Sequence, residues 1–391
     1  MKKSGRCTNL PLFGLLLSLL LAGNASLFAD VEEEEKEKPE TTKESLGEED
    51  VSENAEKADL DKEEAELKAR FDYSIDDVVD KLVVIDCAGP GGKSAGSGFV
   101  AKMDGKMYLF TNQHVVFGAD RISFKTVDGK ILKPRGVELS KSRDIVRLLL
   151  SDDVEGFEVS RRVSMGAPVA VFGNSEGGGV ATELYGKTMG LGADLVEVSA
   201  EFVAGNSGSP VLDSDQRVVG IASYVRFARP SRMSKGTRFE NKTRRFCYRL
   251  SGCDWIKVDW RSYNKKYGKP FVENEQFVQA VVHVFEQWGE ELSGPVEIPS
   301  ASFRDLKNWA QAHNHLLASE RKGTRRYLNK YAESTKRLTR TCAVRANLIR
   351  RFSQEGSLTD FLRSESESQI HMLDSVEDGC KYVNTVLCLI Q

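Results

Sequence analysis

The chain has 391 residues, enough for about two or three domains with cores of their own. It carries 55 Lys and Arg against 58 Asp and Glu, a formal charge of −3. So balanced a total excludes a global field that would draw the chain to nucleic acid or to an anionic membrane.

The first residues read as an export signal. Lys2, Lys3 and Arg6 precede the apolar run "PLFGLLLSLLLAG", which is shorter than the roughly 20 residues of a spanning helix. Residues 1–29 are read as a signal peptide, cleaved after Ala25 or Ala29. The mature protein is then exported, periplasmic or secreted, with no stable membrane span. Residues 30–69 follow as an acidic leader. It has almost no apolar surface to offset the entropy of ordering, so disorder is expected.

From about Phe71 the texture changes. "KLVVIDCAG", "GSGFVAKM", "KMYLFTN", "DIVRLLL", "APVAVFGN" and "RVVGIASYV" are short β-branched or aromatic runs between turn residues. Many short strands at this spacing predict an all-β sandwich or barrel reaching about Trp260. Its last part is basic, with Phe239, Phe246, Tyr248, Trp255, Trp260 and Tyr263 interleaved. That mixture is compatible with nucleic-acid binding, but "RRFCYRLSGCDWIKVDW" alternates as a hairpin does. Residues 229–269 are therefore read as a hairpin segment completing or extending the barrel, and no nucleic-acid partner is expected.

After Pro270 the period switches. Phe277, Val281, Val284 and Trp288 fall on one helical face, and Phe303, Leu306, Trp309, His313 and Leu316 form a similar stripe. Leu328, Tyr331, Leu338, Cys342, Ile349 and Phe352 follow a heptad frame interrupted at Thr335 and Arg345. Residues 358–389 read as one or two more helices. Residues 270–391 are thus a helical bundle or set of hairpins with coiled-coil patterning, suited to a protein partner or to self-association.

Six cysteines remain beyond the signal: Cys87, Cys247, Cys253, Cys342, Cys380 and Cys388. Disulfides are permitted outside the cytoplasm, Cys247 with Cys253 or Cys342 with Cys380 or Cys388, and buried free thiols are the open alternative. There is no paired C-x-x-C with histidines at ligand spacing, so no zinc site and no cofactor is expected. His313 and His315 are read as surface residues rather than as a metal pair.

The chemistry is carried by "AGNSGSPVLDSDQRVVGIAS", residues 204–223. A serine nucleophile needs a base to take its proton at neutral pH. The β-rich region offers one histidine, His114 in "LFTNQHVV". The base needs a buried acceptor to fix its tautomer. Asp144, at the mouth of the apolar run in "SRDIVRLLL", is preferred over Asp152 and Asp153 in the turn after it. An oxyanion hole needs two preorganised N–H donors, and the turn can supply those of Gly205 and Ser207. The lipase-type elbow G-x-S-x-G is excluded, because residue 209 is Ser.

"TNQHVV", "DIVRL" and "GNSGSPV", in that order, resemble the three motifs of the trypsin-like (chymotrypsin-fold) serine proteases, in their bacterial glutamyl-endopeptidase and HtrA-like branches. The likeness covers about residues 75–228. It implies two six-stranded antiparallel β-barrels meeting at a triad. It also implies that Ser207 attacks a peptide carbonyl, that His114 is general base and then general acid, and that Asp144 orients it. The position six before the nucleophile, Glu201, would lie at the base of the specificity pocket and select Lys or Arg. Glutamyl-specific relatives carry histidine where Ala222 stands, which argues against cleavage after Glu. No PDZ-like module is evident after the barrel. Arg147 departs from the family pattern and is expected to point outward. The chain is accordingly read as an exported serine endopeptidase acting on protein or peptide substrates. The alternative reading is a catalytically silent protease-fold binding protein with a helical interaction tail.

Overall fold

The computed structural model describes residues 62–89, 92–151, 154–227, 243–292 and 318–389. The expected signal peptide, the leader up to residue 61, the basic stretch 228–242, and His313 and His315 lie outside them. The described residues divide into two units, up to Lys269 and from Pro270 onward.

Among the described residues of the first unit the short apolar runs form fourteen strands. They are β1 (Leu82–Gly89), β2 (Gly92–Met103), β3 (Lys106–Thr111), β4 (Arg121–Thr126), β5 (Gly136–Ser140), β6 (Val146–Leu149) and β7 (Phe157–Glu158). There follow β8 (Pro168–Gly173), β9 (Thr182–Leu191), β10 (Leu195–Val198), β11 (Pro210–Leu212), β12 (Val218–Phe227), β13 (Thr243–Tyr248) and β14 (Trp255–Val258). The second half closes into an antiparallel barrel of six strands, ordered β10-β13-β12-β11-β8-β9. Val169, Val171, Val196, Val198, Val211 and Ala222 pack together in its core, as the two-residue alternation of strands requires.

The first half is an eight-stranded sheet ordered β14-β5-β6-β3-β2-β1-β4, with β7 paired to β2. The fold is mostly β, as expected, but this half is not a six-stranded barrel. Two short additions, β7 and β14, enlarge it, and the path from β14 to β4 is open.

The expected hairpin over residues 244–260 does not form. β13 pairs with β10 and β12 and closes the barrel, whereas β14 pairs with β5 in the other sheet. Both strands have two-residue alternation, which fixes that they are strands but not their partners. The crossover between them is held by Arg143, a buried residue. Its guanidinium donates to the carbonyls of Arg249 (2.5 Å) and Ser251 (2.8 Å) and to Asp194 (2.6 Å).

Arg147 is also buried rather than outward. Its guanidinium pairs with Glu138 at 2.6 Å and Asp104 at 3.1 Å and lies over the rings of Tyr108 and Trp255. Cross-strand pairing explains this: Arg147 stands directly opposite Glu138 on β5. The end of the acidic leader is ordered too. Residues 62–68 are helical, Leu67 enters the main core, and Lys68 pairs with Glu183 at 2.6 Å.

In the second unit three long helices are described: α1 (Lys269–Leu292), α2 (Ala318–Ser353) and α3 (Asp360–Leu389). On α3, Leu362, Ser366, Gln369, Leu373, Val376 and Cys380 are buried. Their spacing alternates four and three, the pattern that lets two helices pack side by side. On α2, Thr335, Cys342, Ala346 and Ile349 are buried. Thr335 therefore continues the stripe it was expected to interrupt. Its hydroxyl donates to Asn384 Oδ1 on α3 at 3.1 Å, which allows a polar side chain to be buried there. On α1 the buried positions include Val278 and Val281, while Val284 is exposed. Cys87, Cys247, Cys253, Cys342 and Cys380 are free thiols, so neither the Cys247–Cys253 nor the Cys342–Cys380 bridge is present. Burial pushes the thiols of Cys87, Cys342 and Cys380 up to about 12.

Candidate active site

Three consecutive side chains hold the loop that presents Asp144. They stand where β3 ends and the one-turn helix Gln113–Val116 begins. Asn112 Nδ2 donates to the Asp144 carbonyl at 2.6 Å. Gln113 Nε2 donates to the carbonyls of Ser140 (3.0 Å) and Arg143 (2.6 Å). His114 Nδ1 lies 2.5 Å from Asp144 Oδ2, and the His114 amide donates to Oδ1 at 3.1 Å. A carboxylate facing Nδ1 keeps the ring proton there, which leaves Nε2 as the acceptor. The Asp144 side chain is 1% exposed and that of His114 5% exposed, so little water competes for this hydrogen bond.

Asp144 has a further partner that the sequence did not reveal. Ser223 Oγ donates to Oδ2 at 3.1 Å. Ser223 is skipped in the pairing of β12 with β13, where Ala222 faces Cys247 and Tyr224 faces Phe246. Such a bulge re-aims one side chain out of the strand's alternation, here toward Asp144.

Ser207 sits in the turn before β11. Gly205 has φ +85° and Gly208 φ +90°, conformations that favour glycine. Space also forbids a side chain. A Cβ on Gly208 would lie 2.0 Å from the Ser97 carbonyl oxygen, and one on Gly205 2.3 Å from that of Asn174. The Ser97 amide donates to the Ser207 carbonyl at 2.9 Å, and Ser97 Oγ donates to that of Gly205 at 2.8 Å. Ser97 on β2 thus fastens the turn to the other sheet.

The turn's own amides can be accounted for. Asn206 donates to the Val203 carbonyl, Gly208 to that of Ala222 and Ser209 to that of Asn206. The amides of Gly205 and Ser207 donate to no carbonyl among the described residues. From Gly205 to Ser209 they are the two amides without such an acceptor.

A chain of contacts links the segments that carry all three residues. The Ser207 turn bonds to Ala222, next to Ser223, which bonds to Asp144, which bonds to His114. On the far side, Val115 beside His114 packs against Gly96, where an added Cβ would lie 2.7 Å from Val115 and 3.5 Å from the Ser207 carbonyl oxygen. The structure therefore brings His114, Asp144 and Ser207 to one place, at the junction of the two β halves.

Glu201 and Ala222 are placed otherwise. Ala200 and Phe202 are buried, so Glu201 between them turns outward. Its side chain is 72% exposed and lies 3.9 Å from Arg245. It does not form the base of a pocket, and the basis for choosing Lys or Arg is removed. Ala222 is fully buried with its methyl in the barrel core, and it meets the site only through its backbone. Asp152 and Asp153 lie outside the described residues. Among the described residues no group of His, Cys, Asp and Glu could hold a metal ion.

Residues 96–221 match the model of the trypsin-like peptidase domain. The chain is 30% identical over 148 residues to the serine protease Do-like HtrA of Bacillus subtilis, covering 33% of each. It is 29% identical over 143 residues to a probable periplasmic serine endoprotease, DegP-like, of Halomonas elongata, covering 34% of this chain and 30% of that one. The chain thus spans about a third of the length of these curated relatives. Among solved structures, the active form of the Rv3671c protease from M. tuberculosis aligns with a TM-score of 0.36 at 20% identity, over 45% of this chain and 78% of that one.

Proposed function

We propose, on the premise that the chain carries a trypsin-like serine peptidase domain, that it is an exported serine endopeptidase working through an acyl-enzyme on Ser207. The carrying observation is the chain of contacts that ties the turn of Ser207 to Asp144 and His114. His114 Nε2 takes the proton from Ser207 Oγ as the hydroxyl adds to a peptide carbonyl. The oxyanion is met by the amides of Gly205 and Ser207. His114 then delivers its proton to the departing amine as the C–N bond breaks. Water, deprotonated by the His114 imidazole, adds to the acyl carbon, and His114 returns that proton to Ser207 Oγ as the acyl C–O bond breaks. Asp144 holds the ring in one tautomer and offsets its charge while it is protonated. Ser223, Asn112 and Gln113 are positioning residues that act through Asp144 and its loop.

Export is supported by the basic and apolar N-terminal run and by the similarity to the Halomonas relative, a probable periplasmic endoprotease. No described helix is long and apolar enough to cross a membrane. The reading is tested by incubating the full chain with unfolded casein and with fluorogenic peptides. Cleavage that vanishes in Ser207→Ala, with the fold unchanged by circular dichroism, is the expected result. Cleavage that survives this substitution, or no cleavage by wild type in any condition, contradicts it.

A further inference from the structure

The structure assigns a second role to the surface beside the site. We propose that a cavity of about 640 Å³ adjoining Gly205 is an extended subsite for substrate. It selects an acidic side chain about three to four residues from the scissile bond, at the strand spacing of about 3.3 Å per residue. The inference rests on the reading of Ser207 as the attacking group.

The floor of the cavity is built from β1, β2 and β4. Asp86 stands opposite Ala95 and Ser123, and Ala88 stands opposite Lys93 and Arg121. Residues two apart on a strand share a face, so these form two parallel rows. The inner row lies against the turn Ser175–Gly177, which in turn packs on the catalytic turn: a Cβ on Gly177 would sit 3.5 Å from the Ala95 methyl, and one on Gly205 2.4 Å from the Gly177 amide nitrogen. Two residues along β2 from Ala95, Ser97 donates to the Ser207 carbonyl. From Ser97 back to Lys93 is four residues, a distance of about 13 Å. An extended substrate covers it in about four residues of its own.

The two rows differ in charge. Asp86 on the inner row and Glu176, in the turn that meets Ala95, are both exposed carboxylates. Lys93 and Arg121 form the ends of the outer row, are exposed, and belong to no ion pair among the described residues. A chain leaving Ser207 by this route meets negative charge first and positive charge farther out. An acid close to the scissile bond is repelled and one farther away is attracted. Alanines at 88 and 95 keep the floor shallow enough for side chains to lie on it.

The test is a set of fluorogenic peptides sharing one cleavable core. Glu, Gln or Lys is placed at the third and fourth positions on each side of the scissile bond. On one side only, kcat/KM is expected to favour Glu over Lys by about five- to tenfold at low salt, the range for two partly exposed ion pairs. The preference should shrink at high salt. Lys93→Glu with Arg121→Glu should reverse it, at equal active-site concentration by fluorophosphonate titration. Both positions are exposed, so the double variant keeps its fold. Equal rates for Glu and Lys peptides, or a preference unchanged in the double variant, overturn the proposal. If no peptide is cleaved and no probe reacts, the peptidase reading fails by itself. The cavity is then judged by fluorescence anisotropy of the same peptides on Ser207→Ala. Tighter binding of the Glu peptides supports it, and equal binding of Glu and Lys peptides overturns it.

Discussion

The loop of Asp144 and the turn of Ser207 serve one site but are held by different means. The first is clamped by side chains: Asn112, Gln113, His114 and Ser223 all bond to it. The second is held by its backbone, by two glycines at positive φ and by the amide and hydroxyl of Ser97. In the loop a substitution can remove a proton acceptor and leave the fold standing. In the turn, adding even a methyl group displaces the backbone itself.

That difference predicts which variants lose chemistry and which lose structure. Asp144→Asn should give the largest effect. The amide can donate to Nδ1 and impose the wrong ring tautomer, so kcat should fall about 10⁴-fold with an unchanged melting temperature. A loss of stability equal to the loss of activity would show that the loop is no more robust than the turn. Gly208→Ala should destabilise by about 3 kcal/mol or more, since a Cβ would strike the Ser97 carbonyl oxygen at 2.0 Å. Urea unfolding measures it, and a change below about 1 kcal/mol would mean the turn yields easily.

Arg143→Met lies between the two cases. It leaves the carbonyls of Arg249 and Ser251 without their donor, at a cost of about 2–4 kcal/mol by the same measurement. Ser223→Ala should lower kcat about tenfold, leave KM unchanged and shift the pH–rate profile, because it removes one donor from Asp144. A purely structural role would change stability and leave that profile in place.

The smallest effect concerns the thiols. Burial raises Cys87, Cys342 and Cys380 to about 12, above the value near 8.5 of an unfolded thiol. The folded state therefore keeps protons that the unfolded state loses. Their contribution to stability is whole below about pH 8.5 and declines as pH rises toward 12. Alkylation with iodoacetamide at pH 8 should be slow in the native chain and fast in urea.

The same contrast explains what could be read from the sequence. His114, Asp144 and Ser207 lie in short local patterns that a single sequence displays. The strands were legible from their alternation. Partner choice was not: β13 and β14 look like one hairpin, yet each joins a different sheet. Ser223 was overlooked because a bulge aims it, and bulges depend on the pairing of two strands. Arg143 and Arg147 were misjudged or missed because a buried cation is legible only with its partners, which come from other strands and turns. Glu201 failed for the opposite reason. A register borrowed from distant relatives cannot say whether a residue at a strand end turns inward.

Reaction with a fluorophosphonate probe, followed by mass spectrometry of the labelled peptide, tests the activation of Ser207 most directly. One phosphonate is expected, on Ser207, lost in His114→Ala and strongly reduced in Asp144→Asn. Labelling that is absent from the wild type, or that persists in His114→Ala, would contradict an activated serine at this site.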